Sequence, residues 1–208
     1  PPRLACASSP HANESHVEET WRMHMATHQK QWTLEELHSL PDDGNKYELV
    51  RGELFVTPAP SVGHEDVLAS LNTALVPYVI EQKLGMVYRP RAVVRFEGSE
   101  VEPDLMVRAA WTIRENERDW DTAPVPILVI EVLSGSTRRH DQNQKREFYL
   151  DIGVAEYWIV DPERGCVRVV RRGEEDVVTS DRLDWHPAGA SRPLELDVRT
   201  IFKPQDGA

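Results

Sequence analysis

The stretch ILVIEVLSGSTRRHDQNQKREFYLDIG, residues 127–153, sets a carboxylate, Glu131, in the middle of an apolar strand. Taking an ionised carboxylate out of water without a partner costs on the order of several kcal/mol, so the chain must bring a partner, a metal or an open cleft to it. Side chains alternate along a strand, which puts Val129, Glu131 and Leu133 on one face and Ile130 and Val132 on the other. Upstream, EVEPDLMV reads as a second strand on which Glu100, Glu102, Asp104 and Met106 share a face. If these two strands pair, Asp104 and Glu131 converge. Two such carboxylates repel each other unless a cation holds them, and hard oxygen ligands suit Mg²⁺ or Mn²⁺. In the segment that follows, Asp141, Lys145 and Tyr149 stand at i, i+4 and i+8 of a helix, nearly one stripe. Lys145 beside a metal could orient or help to deprotonate a water; a plain surface Asp–Lys pair is the alternative.

The elements that must position these residues follow from pattern. Thr33 and Glu36 form a capping box for a short helix, TLEELHSL, which Pro41 helps to end. KYELVRGELFVT alternates around Arg51-Gly52 and predicts a hairpin. Val67, Leu68, Leu71, Ala74, Leu75 and Tyr78 make a helical stripe that stops near Gly85 and should kink at Pro77. MVYRPRAVVRFEG and EVEPDLMVRA read as strands separated by a Gly-Ser turn. RRHDQNQKREFYLDIG is a helix stopped by Gly153, EYWIVDPERGCVRVV a hairpin, and LELDVRTIF a last short strand or cover for the core. The apolar interior strand needs cover on both faces, so the expected architecture is mixed α/β (α+β), a central sheet flanked by helices.

The chain has 208 residues, enough for one core. Residues 1–30 are polar and without period and read as a disordered or peripheral segment, with residues 31–204 as a single domain. The first methionines are Met23 and Met25, so residues 1–24 read as upstream sequence; His24 and His28 have a metal-binding spacing but no third ligand. No signal peptide and no span of about 20 apolar residues is visible. Two distant cysteines, Cys6 and Cys166, suggest no disulfide framework, and a reducing cytoplasm fits. A net charge of −11 argues against coating nucleic acid by general electrostatics. Local basic clusters remain (Arg89, Arg91, Arg95; Arg138, Arg139, Lys145, Arg146; Arg168, Arg171, Arg172), which could track phosphates or form a solvated face.

Pro103-Asp104 followed by the apolar strand holding Glu131 resembles the PD-(D/E)XK nuclease fold, except that Leu133 stands where that pattern has its lysine. The longer string YELVRGEL, TPAPSVGH, EPDL, LVIEVLSGST, then Asp141, Lys145, Tyr149 and EYWIVDP, resembles the Uma-type family of restriction endonuclease-like proteins over about residues 32–202. The resemblance implies Asp104 and Glu131 as ligands of Mg²⁺ or Mn²⁺, and Lys145, moved onto the helix, as catalytic lysine. It also implies Glu48 and His64 as supporting catalytic residues. Glu48 could instead be a half-exposed strand position, bind a second metal or hold Lys145; His64 could be a helix-start or core histidine. Tyr149, Trp158 and Asp161 are assigned to packing and turn formation. The function implied is a Mg²⁺-dependent endonuclease acting on DNA, without membrane association; two-strand cleavage by this fold implies a homodimer in related enzymes. The alternatives are a non-catalytic nucleic-acid- or protein-binding module, and acids that serve only as salt-bridge partners.

Overall fold

The structure is a computed structural model that describes residues 30–110, 120–135 and 138–203. All of these except Lys30 and Gln31 belong to the compact unit Trp32–Ala208. The expectations for residues 1–29, including those for His24 and His28, fall outside the described residues.

Helix α1, Leu34–His38, begins with the expected capping box: the Thr33 hydroxyl accepts from the Glu36 amide at 3.2 Å, and the Glu36 carboxylate accepts from the Thr33 amide at 3.0 Å. Strands β1, Lys46–Val50, and β2, Glu53–Thr57, form the hairpin, turned by Arg51 and Gly52 at φ +51° and +82°. Two consecutive positive φ values match the right-handed twist of the flanking strands. Helix α2, Val62–Glu81, starts at Ser61, whose hydroxyl accepts from the His64 amide. It continues through Pro77 to Glu81, past the point where a kink was expected. Strands β3 (Met86–Tyr88), β4 (Val94–Phe96), β5 (Ser99–Val101) and β6 (Leu105–Arg108) follow, then β7, Leu128–Val132.

Residues 100–106 are not one strand. Strand β5 ends at Val101 in a four-stranded sheet of order β2-β1-β5-β4, and β6 starts at Leu105 in a different sheet. Pro103 has no amide to give to a ladder, so the chain changes sheets there, and face-sharing by parity fails across the break. The crossing is tied down by β1: the Glu102 amide donates to Glu48 Oε1 at 2.9 Å and the Glu102 carbonyl accepts from Lys46 Nζ at 3.1 Å.

After β7 the chain forms helix α3, residues 138–151, in three pieces: an α-turn Arg138–His140, a π-helical turn Asp141–Lys145 and α-helix Arg146–Asp151. Then come β8 (Glu156–Asp161), β9 (Cys166–Val170), β10 (Val177–Thr179), β11 (Arg182–Trp185), β12 (Leu194–Asp197) and the short helix α4 (Val198–Ile201). The main sheet has order β10-β9-β8-β7-β6-β3, with β7 and β8 parallel and its other pairs antiparallel. A two-stranded sheet, β11-β12, completes the mixed α+β architecture. The expected central mixed sheet is the six-stranded one, and two smaller sheets accompany it.

Strand β7 is buried along its whole length, and its two faces serve two cores. Leu128, Ile130 and Val132 join Leu71, Leu75, Trp158, Val160 and Trp185 in one. Val129 and Leu133 join Met106, Phe148, Tyr149, Tyr157 and Ile159 in the other. Glu131 points to the second.

Candidate active site

Strands β6 and β7 pair antiparallel, with Leu105 opposite Ile130 and Met106 opposite Val129. One further step of that register sets Asp104 against Glu131, and the Val132 amide donates to Asp104 Oδ2 at 2.8 Å. The two acids therefore meet through pairing of their strands, as expected, although Asp104 sits in the junction before β6. Both carboxylates are almost wholly buried, and both line a cleft of about 720 Å³. Its walls include the Thr57–Ser61 segment, the first turn of α2 with His64, and the Leu133–Gly135 loop.

Lys145 reaches this pair from α3. Its Nζ lies 2.8 Å from Glu48 Oε1, 2.9 Å from Glu131 Oε1 and 3.4 Å from Asp141 Oδ1, and its side chain is 0% exposed. The π-helical turn supplies the placement. A widened turn of this kind changes which residues face the sheet and is frequent at functional sites. The Asn143 amide side chain, donating to the Arg139 carbonyl at 2.8 Å, helps to satisfy the backbone there. Tyr149, one α-turn beyond Lys145, donates its hydroxyl to Glu131 Oε1 at 2.8 Å. Tyr149 therefore touches the acid itself, beyond the packing role given to it. Trp158 stays in the apolar core, and Asp161 binds Arg138 and caps the turn at Arg164, in line with packing and turn formation.

Glu48, from β1, is buried and clamps Lys145 and the Glu102 amide, which favours the lysine-holding alternative over an exposed strand position. Its Oε2 has no hydrogen-bond partner among the described residues; Lys46 Nζ lies 3.9 Å from it. His64 Nε2 lies 3.5 Å from Asp104 Oδ2, and its buried Nδ1 has no hydrogen-bond partner among the described residues. Lys46 went unremarked in the sequence. Its Nζ lies 3.5 Å from Asp104 Oδ1, and it lines the cleft. The signal that could have found it is parity: Lys46 and Glu48 share a face of a short strand, so wherever Glu48 is used Lys46 is close.

Four carboxyl groups, Glu48, Asp104, Glu131 and Asp141, thus face two ammonium groups in a largely buried volume. The titration behaviour reflects that imbalance. Burial would raise the Glu48 carboxyl, but Lys145 and Lys46 outweigh it and hold it low. Asp104 is likewise held well below the usual range, burial being outweighed by Lys46, His64 and Lys145. Glu131 carries the surplus: burial pushes it up to about 8, more than Lys145 offsets, with Asp104 adding to the rise. Both lysines stay protonated, because the surrounding carboxylates outweigh the burial that would lower them.

The basic clusters are largely consumed by acids. Arg95 pairs with Glu100 and Asp121, Arg138 with Asp161 and Glu163, Arg146 and Arg168 with Asp176, and Arg171 with Glu156 and Glu174. They read as a solvated, ion-paired face.

A family model described as "Uma2: Putative restriction endonuclease" matches residues 34–199. The chain belongs to the Uma2 family. A crystal structure from Anabaena variabilis, titled a putative nuclease belonging to DUF820, superposes with a TM-score of 0.71 at 23% identity. The match covers 82% of this chain and 97% of that one, and shows a shared fold. No curated protein matches the chain.

Among the described residues, no group of three or more His, Cys, Asp and Glu side chains stands ready-made in metal-binding geometry. The donors nonetheless fit a hard divalent cation by chemistry: carboxyl oxygens at a cleft, one buried Glu48 oxygen without a hydrogen-bond partner among the described residues, and more acids than lysines around them. No helix among the described residues is long and apolar enough to cross a membrane.

Proposed function

We propose that this protein is a nuclease dependent on Mg²⁺ or Mn²⁺ that hydrolyses phosphodiester bonds of DNA, with Asp104 and Glu131 holding the ion. The observation that carries this reading is the gathering of four acids against two lysines at a cleft, inside a Uma2-family fold. When bound, the ion supplies Lewis-acid polarisation of a phosphoryl oxygen and an activated water nucleophile. The chain's own residues keep the two acids in place. The Val132 amide fixes Asp104 Oδ2. Lys145 and Tyr149 both bind Glu131 Oε1, which leaves Oε2 for the ion. Lys145 and Glu48 act as positioning residues: Glu48 holds the lysine, and the lysine neutralises Glu48 while aiming Glu131. His64 supports Asp104 from the start of α2.

Purified protein with Mg²⁺ or Mn²⁺ is expected to nick supercoiled plasmid or cut single-stranded DNA, with loss of activity in EDTA and in Glu131→Gln. Cleavage that persists in that variant removes Glu131 from the site. The second reading, a binding module without catalysis, draws on Leu133 at the usual lysine position and on the full burial of Lys145. It predicts no divalent-ion binding that depends on Asp104 and Glu131, which calorimetry on Asp104→Asn and Glu131→Gln measures directly.

A further inference from the structure

Resting on the nuclease reading, we infer that Lys46 of β1, and not Lys145, is the lysine that meets the substrate phosphate. The two lysines flank the same acids but differ in freedom. Lys145 has no exposed side-chain surface, is absent from the cleft wall, and holds three carboxylates within 3.4 Å. Swinging it toward a ligand would strand the Glu48 carboxylate as a buried, poorly compensated charge and break the contact with Glu131, a strongly unfavourable exchange.

Lys46 stands on the cleft wall beside Asp104 and Glu131, and its side chain keeps 18% of its surface exposed. Its ammonium is loosely engaged: a carbonyl at 3.1 Å, Asp104 Oδ1 at 3.5 Å and Glu48 Oε2 at 3.9 Å. An ammonium has three donors to give, and here one bond is of ordinary length. Another cationic candidate on the wall, Arg91, is highly exposed and pairs with Asp42 at 3.6 Å.

The position of Lys46 also fits an exchange of partners. In this structure it neutralises Asp104, the acid assigned to the ion. A divalent ion on Asp104 makes that neutralisation redundant, and the ammonium becomes available to an anionic oxygen brought to the same place. Negative charge that grows on the phosphoryl oxygens during hydrolysis is then met by a fixed cation in a poorly solvated cleft, the setting in which a single donor has its largest effect. Strand β1 holds both halves of the device: Glu48, facing in, locks Lys145, and Lys46, two residues before it, serves the substrate.

The experiment compares wild type, Lys46→Ala, Lys46→Gln and Lys46→Arg in two assays: single-turnover cleavage of a labelled DNA oligonucleotide at saturating Mn²⁺, and calorimetric Mn²⁺ binding without DNA. Lys46→Ala and Lys46→Gln are expected to lose about 10²–10³-fold in cleavage rate, with Mn²⁺ affinity equal to or tighter than wild type, because a competing cation has been removed. Lys46→Arg, which keeps the charge, is expected to recover much of the rate. A wild-type rate in folded Lys46→Gln overturns the assignment. So does a rate loss matched by an equal loss of Mn²⁺ affinity, since Lys46 would then only organise the acids. Wild-type protein that neither binds Mn²⁺ nor cuts overturns the nuclease reading itself, and the role of Lys46 with it.

Discussion

The two faces of β7 differ in what they ask of the same strand. Leu128, Ile130 and Val132 meet an apolar layer built from α2, α4 and β11-β12, where Leu71, Leu75, Trp158 and Trp185 interlock without an acidic or basic side chain among the buried members. On the other face, Glu131 lies between Val129 and Leu133 under α3, in contact with Lys145 and Tyr149. A face that buries four carboxylates cannot be a net source of stability, since desolvating charges costs about as much as pairing them returns. The apolar face stabilises the fold, and that surplus lets the other hold an electrostatically unbalanced site.

Substitutions that break each face in its own way test this division. Trp158→Ala is expected to destabilise by about 3–5 kcal/mol through lost burial and a cavity. Lys145→Met is expected to cost a similar amount, about 3–5 kcal/mol, by a different route: it leaves the ionised Glu48 carboxylate buried without its closest counter-charge. Urea unfolding separates the two. Adding Glu48→Gln to Lys145→Met should restore part of the loss, because the stranded charge goes with it, whereas Glu48→Gln should give Trp158→Ala no such relief. Full additivity in both pairs would mean that Lys145 serves by packing and that the faces do not differ as described.

Next in size is Tyr149→Phe, which removes one hydroxyl bond to a buried carboxylate and is expected to cost about 1.5–3 kcal/mol. On the opposite face Ile130→Val, a single methylene, is expected to cost about 0.5–1.5 kcal/mol. Paired unfolding curves give both values, and a Tyr149→Phe cost below that of Ile130→Val would indicate that the hydroxyl bond contributes little.

The sequence exposed the apolar face and the acids well, and the connecting geometry poorly. Period-2 alternation placed Glu131 on a different face from Ile130, because a buried strand obeys parity along its whole length. The Arg51-Gly52 turn and the Thr33 cap were visible because their chemistry is local. The break at Pro103 was hidden, since GSEVEPDLMV looks continuous and only the partners of β5 and β6 show that two sheets meet there. The π-turn at Asp141–Lys145 has no marker in composition, as i, i+4 spacing suits either helix type. Lys46 was missed because a lysine opening a half-exposed strand is ordinary until Glu48 is found buried beneath it.

A last test concerns pH and isolates Glu131. Its folded-state pKa, raised to about 8 from 4.5, means that the folded protein holds a proton which the unfolded chain releases near 4.5. Its contribution to stability is therefore complete below about pH 4.5 and disappears as pH rises through about 8. Asp104 and Glu48 are shifted the other way, so their contributions are present above their unfolded values and fade only in acid. His140, lowered to about 4 by burial and Lys145, gains stability as pH rises from about 4 to 6.5, but wild type and Glu131→Gln share that change. The stability of wild type minus that of Glu131→Gln should thus fall between pH 5 and pH 8, measured by urea unfolding at each pH. Divalent ion should flatten the fall, because a carboxylate that binds metal gives up its proton. Equal differences at pH 5 and pH 8 would mean that Glu131 is already ionised at pH 5, with Lys145 balancing it, and the surplus negative charge would have to be assigned to another of the four acids.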